Sequence, residues 1–235
     1  MQLSRRTSTI IVVILVAALG WMYFSKGTKR EKPKPPVFNG PTKDTSLYFN
    51  GIPPEGKGGD PLLNLQKNRT TIPEKLETYS VHQILAIPST KLEGTNDNTR
   101  KYWSDEAKQY AAKWESKGVV VEGYLVKARE SGKESANGNS DKYRDYHLWI
   151  VQEKNEPRSS SIIAEVTPRI KATKPSWKIE NFVKLSNKRT KVRVTGWLLW
   201  DEEHGDEVGK SRGSQWEVHP MTKFEIFEKG EWKEY

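Results

Sequence analysis

The stretch that most constrains this chain is residues 191–201, Lys-Val-Arg-Val-Thr-Gly-Trp-Leu-Leu-Trp-Asp. Apolar and polar residues alternate along it. Val192, Val194, Gly196, Leu198 and Trp200 share one side, and Arg193, Thr195 and Trp197 share the other. Successive side chains of an extended backbone point to opposite faces, so a period of two belongs to a half-buried strand. Comparable runs lie at 119–128, 145–153, 161–167 and 215–227, and a helical pattern at 177–185 precedes the central stretch. Five strands with a helix between the third and fourth predict a mainly β fold, a five-stranded OB-like Greek-key barrel over 119–235. Pro220 cannot donate to a ladder and predicts a bulge or an edge in the last strand. Gly123 and Gly196, both mid-strand, mark sharp bends or a close approach of two backbones.

The chain ahead of the barrel divides by composition. Residues 1–26 carry Arg5 and Arg6 and then an unbroken apolar run over 10–24. As a helix that run spans roughly 22 Å, short for a hydrocarbon core of about 30 Å, and it fits a signal-peptide core or a short membrane anchor. Trp21, Met22, Tyr23 and Phe24 extend the run like an interfacial aromatic belt and point to an uncleaved, single-pass anchor. Lys26, Lys29, Arg30, Lys32 and Lys34 follow the span, which by charge bias holds the rest of the chain in the cytoplasm. An Arg-bearing start before a single apolar run reads instead as export, and an extracytoplasmic barrel is the expectation. Residues 27–74 are rich in Pro and Gly and read as a flexible linker. The Gly51–Gly58 segment imitates a phosphate-binding loop but lacks the strand–loop–helix context and the hydroxyl residue after Lys57. Residues 75–118 read as an extension packed on the barrel, with a strand at 79–87. A helix at 105–116 follows, capped by Ser104 and begun by Asp105 and Glu106.

The net charge of +9 invites a nucleic-acid reading, but residues 1–60 hold nine Lys/Arg against four Asp/Glu, while 119–235 hold 21 against 19. Much of the excess therefore sits away from the barrel, which weakens the case for a general phosphate binder. With no cysteine there is neither a disulfide nor a thiolate metal site. Strand parity places Leu125, Leu148, Ile150, Ala164, Val166, Val192, Val194, Leu198, Val218 and Phe224 inside. The opposite face carries Glu122, Tyr124, His147, Trp149, Glu165, Arg193, Thr195, Trp197, Glu217 and His219. Ligands of such barrels lie across the middle strands, between the loops that here span 129–144 and 202–214.

Three functions fit this face. The first is a non-catalytic, membrane-tethered binding module that needs no cofactor. Tyr124, Trp149 and Trp197 would stack bases or sugar rings at roughly 1–3 kcal/mol per base. Lys127, Arg129, Arg144, Arg193 and Arg212 would meet phosphates, with His147 on the same face. Single-stranded nucleic acid, oligosaccharide or protein are the ligand classes, although Asp201, Glu202, Glu203, Asp206 and Glu207 would repel a phosphate backbone. The second is an envelope assembly role through protein contacts. The third is a metal-assisted hydrolase built on His147, Glu165 and His219 with Glu122, and with Asp201 or His204 as base. It lacks short ligand spacing such as H-E-x-x-H, and no Ser/His/Asp or Cys/His nucleophile set is evident.

Asp145-Tyr-His-Leu, Glu165-Val-Thr-Pro-Arg169, Gly196-Trp-Leu-Leu-Trp-Asp-Glu-Glu-His204 and Arg212-Gly-Ser-Gln-Trp-Glu-Val-His-Pro220 are motifs with a counterpart. Together with segments 56–69 and 91–100, they resemble motifs of a poorly characterised group of bacterial OB-like proteins. The Glu134-Ser-Ala-Asn-Gly138 loop departs from that pattern, at a place where relatives carry cysteines. The resemblance implies an OB-like fold and no established chemistry.

Overall fold

A computed structural model describes residues 33–95 and 99–235. The expected membrane segment at 10–24 lies outside the described residues, among which no helix is long and apolar enough to cross a membrane. The strands are β1 (Leu76–Ser80), β2 (Gly118–Glu130), β3 (Tyr146–Val151), β4 (Ile162–Val166), β5 (Lys191–Trp200), β6 (Trp216–Glu228) and β7 (Glu231–Glu234). The α-helices are α1 (Pro61–Lys67), α2 (Val81–Leu85), α3 (Asp105–Glu115), α4 (Pro168–Thr173) and α5 (Ile179–Asn187).

The expectation of a mainly β fold with a closed five-stranded barrel holds. Its strands run β2–β3–β4–β6–β5, and β5 returns to β2. Closure depends on the length of β2. Its first half pairs with β5 on one edge and in parallel with β1 on the other, while residues from Tyr124 onward pair with β3. The barrel's one parallel contact is β4 with β6. All ten residues assigned inward by parity are fully buried. Phe182 of α5 plugs the barrel against Phe224, with ring centroids 5.0 Å apart, and Trp177 and Tyr235 pack around it. Burying such a side chain contributes about 1.5–3 kcal/mol.

The expected irregularity near Pro220 is present, since the β5–β6 register shifts on both sides of Gly196. A Cβ on Gly196 would fall 2.3 Å from the Pro220 carbonyl oxygen, so the two backbones meet there. α3 begins as expected, with the Ser104 hydroxyl accepting from the Ala107 amide. It lays Ala107, Ala111, Ala112 and Glu115 into the interior.

Two expectations are corrected. The strand expected over 79–87 stops at Ser80, which forms a capping box with Gln83 and starts α2. Reciprocal hydrogen bonds at the cap outweigh the β-forming residues around them. Within the stretch expected to be a flexible linker, Thr45–Leu47 and Pro61–Lys67 are helical, and the described part belongs to one compact unit with the barrel. Asp60 caps α1, Pro61 occupies its first turn, and Leu63, Asn64 and Lys67 are buried.

Candidate metal centre

Two acid-x-His pairs, Asp145-Tyr-His147 and Glu217-Val-His219, build the site from neighbouring parts of the barrel wall. Period-two spacing puts each acid on the same face as its histidine. His147 stands opposite Glu165 in the β3–β4 register, with Nε2 3.1 Å from Glu165 Oε1. On the other oxygen of Glu165 stands His219, with Nδ1 3.2 Å from Oε2. His219 Nδ1 also lies 3.0 Å from Glu217 Oε1, and its Nε2 faces Asp145 Oδ2 at 3.7 Å. Asn137 donates to the other Asp145 oxygen at 2.8 Å and fixes that carboxylate. Glu134, on the loop after β2, brings Oε1 within 3.8 Å of His147 Nε2.

The folded extension closes this face. Lys67, at the end of α1, pairs with Glu134 at 3.5 Å and Glu203 at 3.1 Å. The Asn68 amide donates to the Pro54 and Ala136 carbonyls, at 2.9 and 2.8 Å. Gly56 sits at φ +71°, and a Cβ there would fall 2.2 Å from the Ser135 carbonyl oxygen. The glycines that imitate a phosphate loop thus let the extension lie against the 134–138 loop. Behind the histidines, Arg212 spans Asp201 Oδ2 at 2.6 Å and Glu217 Oε2 at 3.4 Å. His204 reaches the same Asp201 oxygen at 2.7 Å from the rim.

Burial opposes charge on His147 and His219, yet Glu165 first, then Glu134 and Glu217, raise both above the ordinary histidine range. Glu165 is held well below the carboxylate range against its burial by His147 and His219. Asp145 goes the other way: burial, then Glu134, push it up to about 8. Burial and then Glu165 likewise raise Glu217. Among the described residues, the acids Glu134, Asp145, Glu165, Asp201 and Glu217 have Lys67 and Arg212 as ion-pair cations, with Lys171 acting on Asp145 from farther off. The remaining negative charge is met by protons on the histidines and on the raised acids Asp145 and Glu217, or by a bound cation.

Hydrogen bonding points to the cation. Glu134 Oε2, Asp145 Oδ2, His147 Nε2, Glu165 Oε2, Glu217 Oε2 and His219 Nε2 are all buried without a hydrogen-bond partner. Buried polar atoms are nearly always satisfied. Glu134 Oε2 and Glu217 Oε2 have the ion pairs with Lys67 and Arg212, but Asp145 Oδ2, His147 Nε2 and His219 Nε2 call for a further partner. His147 Nε2 lies 3.1 Å from Glu165 Oε1 yet is misaligned for a hydrogen bond. Two ligands of one ion behave in this way: arms of about 2.1 Å meeting at roughly 90–110° set the donor atoms about 3.0–3.4 Å apart.

The residues expected to bind a ligand do not form one surface. His147 and Arg212 belong to the buried centre. Trp149 is 1% exposed and cannot stack a base; Lys127, Arg129 and Arg158 lie over its ring at 5.3–5.6 Å. Trp197 is half-buried, gives its indole N–H to the Thr71 carbonyl and carries the Arg69 guanidinium over its ring at 4.8 Å. Tyr124 is half-buried on β2. Arg193 is engaged by Glu225 at 2.6 Å and Glu122 at 3.7 Å, which removes Glu122 from the metal set. Arg144 pairs with Asp141 and Glu130. Trp149 is thus buried beneath cationic side chains and Trp197 is partly covered by the extension, while Tyr124 stays half-buried on β2.

His147, Glu165 and His219 do converge as the strand pairing requires. Sequence reasoning missed Glu134, Asp145 and Lys67 as members of the site. The paired acid-x-His pattern would have found Asp145, whereas nothing local marks Glu134 or Lys67. No family model matches the chain, and neither a curated protein nor a solved structure matches it.

Proposed function

We propose that this chain is an OB-like barrel whose outer face holds a divalent cation, making it a non-catalytic module in which the ion clamps the 33–74 extension onto the barrel. The strand order, with the third and fifth barrel strands adjacent and helices between the third and fourth, supports the OB-like reading. So does the resemblance to the bacterial group. The apolar segment at 10–24 supports a membrane tether, with the barrel on the extracytoplasmic side.

One observation carries the cation: buried imidazole and carboxylate atoms aimed at one another without partners. A mixed set of imidazole nitrogen and carboxylate oxygen suits Mn²⁺, Fe²⁺ or Zn²⁺ better than Mg²⁺ or Ca²⁺, which take oxygen. The hydrolase reading gains the convergence of three of its residues. Against it, His147, Glu165, Asp145 and His219 are all buried, whereas a catalytic ion needs a position that substrate can reach.

Elemental analysis of the full-length chain, purified without chelator, tests the proposal. At least one equivalent of a first-row divalent metal is expected, together with a lower melting temperature after EDTA dialysis. An ion present at 100 times its dissociation constant contributes about 2.7 kcal/mol. A metal-free chain whose melting EDTA leaves unchanged overturns the proposal.

A further inference from the structure

The ligand atoms fall into two sets, not one. Glu134, His147 and Glu165 form the first; Asp145, Glu165 and His219 form the second; within each, the candidate atoms lie within 4.8 Å of one another. Glu165 is common to both and turns a different oxygen toward each histidine: Oε1 to His147 Nε2 at 3.1 Å, and Oε2 to the side of His219 that carries Nδ1, at 3.2 Å. We infer that the centre is binuclear, with Glu165 bridging two divalent first-row ions. This rests on the cation reading above.

A single ion does not account for the orphan atoms. Placed among Glu134, His147 and Glu165, it leaves Asp145 Oδ2 and His219 Nε2 buried, 3.7 Å apart and without partners. Placed in the second set, it leaves His147 Nε2 buried without a hydrogen-bond partner, 3.8 Å from Glu134 Oε1. Each set also has outer support of the kind that orients metal ligands. Asn137 holds one oxygen of Asp145 and leaves the other facing His219. Glu217, 3.0 Å from His219 Nδ1, leaves Nε2 as the free lone pair of that ring. Lys67 steadies Glu134 from the extension. Carboxylate-bridged pairs hold their ions about 3.5–4 Å apart, a separation that one shared glutamate can span.

The experiment is metal stoichiometry and electron paramagnetic resonance on the full-length chain reconstituted with Mn²⁺. Two equivalents with an exchange-coupled multiline spectrum are expected. Asp145→Asn and Glu134→Gln should each fall to one equivalent and show an uncoupled six-line signal, while Glu165→Gln should lose both ions. One equivalent in the unaltered chain overturns the binuclear assignment and leaves the cation reading standing. Two uncoupled equivalents overturn the bridge. No bound Mn²⁺, Zn²⁺ or Fe²⁺ sinks both readings. Because the first measurements use the unaltered chain, a folding failure of Glu165→Gln does not blunt the test.

Discussion

At the scale of single residues, Arg100 joins the chain ahead of the barrel to the barrel itself. It is buried and donates to both oxygens of Glu115 at 2.8 Å, to Glu202 at 3.1–3.3 Å and to the Trp200 carbonyl at 2.8 Å. Burial opposes its charge, but Glu115 and Glu202 more than offset that and hold it protonated. Arg100→Met would take the paired cation from two buried acids, leaving Glu115 only the more distant charge of Arg69, and breaking such a set costs about 3–5 kcal/mol. Urea unfolding measures it; a loss below about 1 kcal/mol would mean that the acids find other partners or take up protons. His204 makes a milder, pH-dependent contribution. Its bond to Asp201 raises its pKa from 6.5 to about 9, with burial and Arg212 opposing and Glu217 assisting. A raised folded-state value means stabilisation that is complete below about 6.5 and fades as pH rises through about 9. The side chain is 40% exposed, so solvent screening holds the effect to about 1 kcal/mol or less. Melting curves of the unaltered chain and His204→Ala should therefore differ at pH 6 and draw together by pH 10. A constant gap would assign the effect to packing.

At the scale of elements, what was legible is what burial by alternation dictates. β2, β3, β4, β5 and β6 lie within two or three residues of their expected bounds, because apolar side chains every second residue have one stable solution. Gly196 was legible for the same reason, as a gap in an otherwise filled pattern. Its contact with Pro220 predicts that Gly196→Ala destabilises by about 1–3 kcal/mol through overpacking. Gly132→Ala, where an added Cβ meets nothing within 4 Å, should change little; equal losses at both positions would refute the close-approach account. The turn into α2 was hidden because a two-residue capping signal, Ser80 with Gln83, interrupts a strand-like run. α1 was hidden more deeply. Its buried face includes Asn64 and Lys67, and the adjoining cap residue is Asn68, all paired with carbonyls or carboxylates instead of packed as an apolar stripe. Hydropathy periodicity cannot register an interface made by amides and charges. The same limit divided the site: the strand-borne His147, Glu165 and His219 followed from parity, whereas Glu134 and Lys67 arrive from segments that only the tertiary fold brings near.

At the scale of the whole described molecule, the extension and the barrel face form one closed object with the charged centre between them. Arg69 shows the dependence, since its guanidinium donates to the carbonyls of Glu115 and His219 at 2.7 and 3.2 Å and so ties the extension to a strand bearing a candidate ligand. Lys67 is buried against Glu134 on the other side. Trypsin needs both side chains and several residues of flanking backbone in extended form, so cutting at either site requires the extension to lift. If a cation holds the acids beneath Lys67 and Arg69 in place, its removal lowers the free energy of lifting, and each 1.4 kcal/mol lost raises the open population about tenfold. Cleavage after Lys67 and Arg69 should thus be slow in the purified full-length chain and at least about tenfold faster after EDTA, with excess Mn²⁺ or Zn²⁺ restoring protection. Equal rates with and without chelator would show that the closure stands on Asn64, Asn68 and Arg69 alone. Rapid cutting from the outset would return residues 27–74 to the tether that their composition suggests.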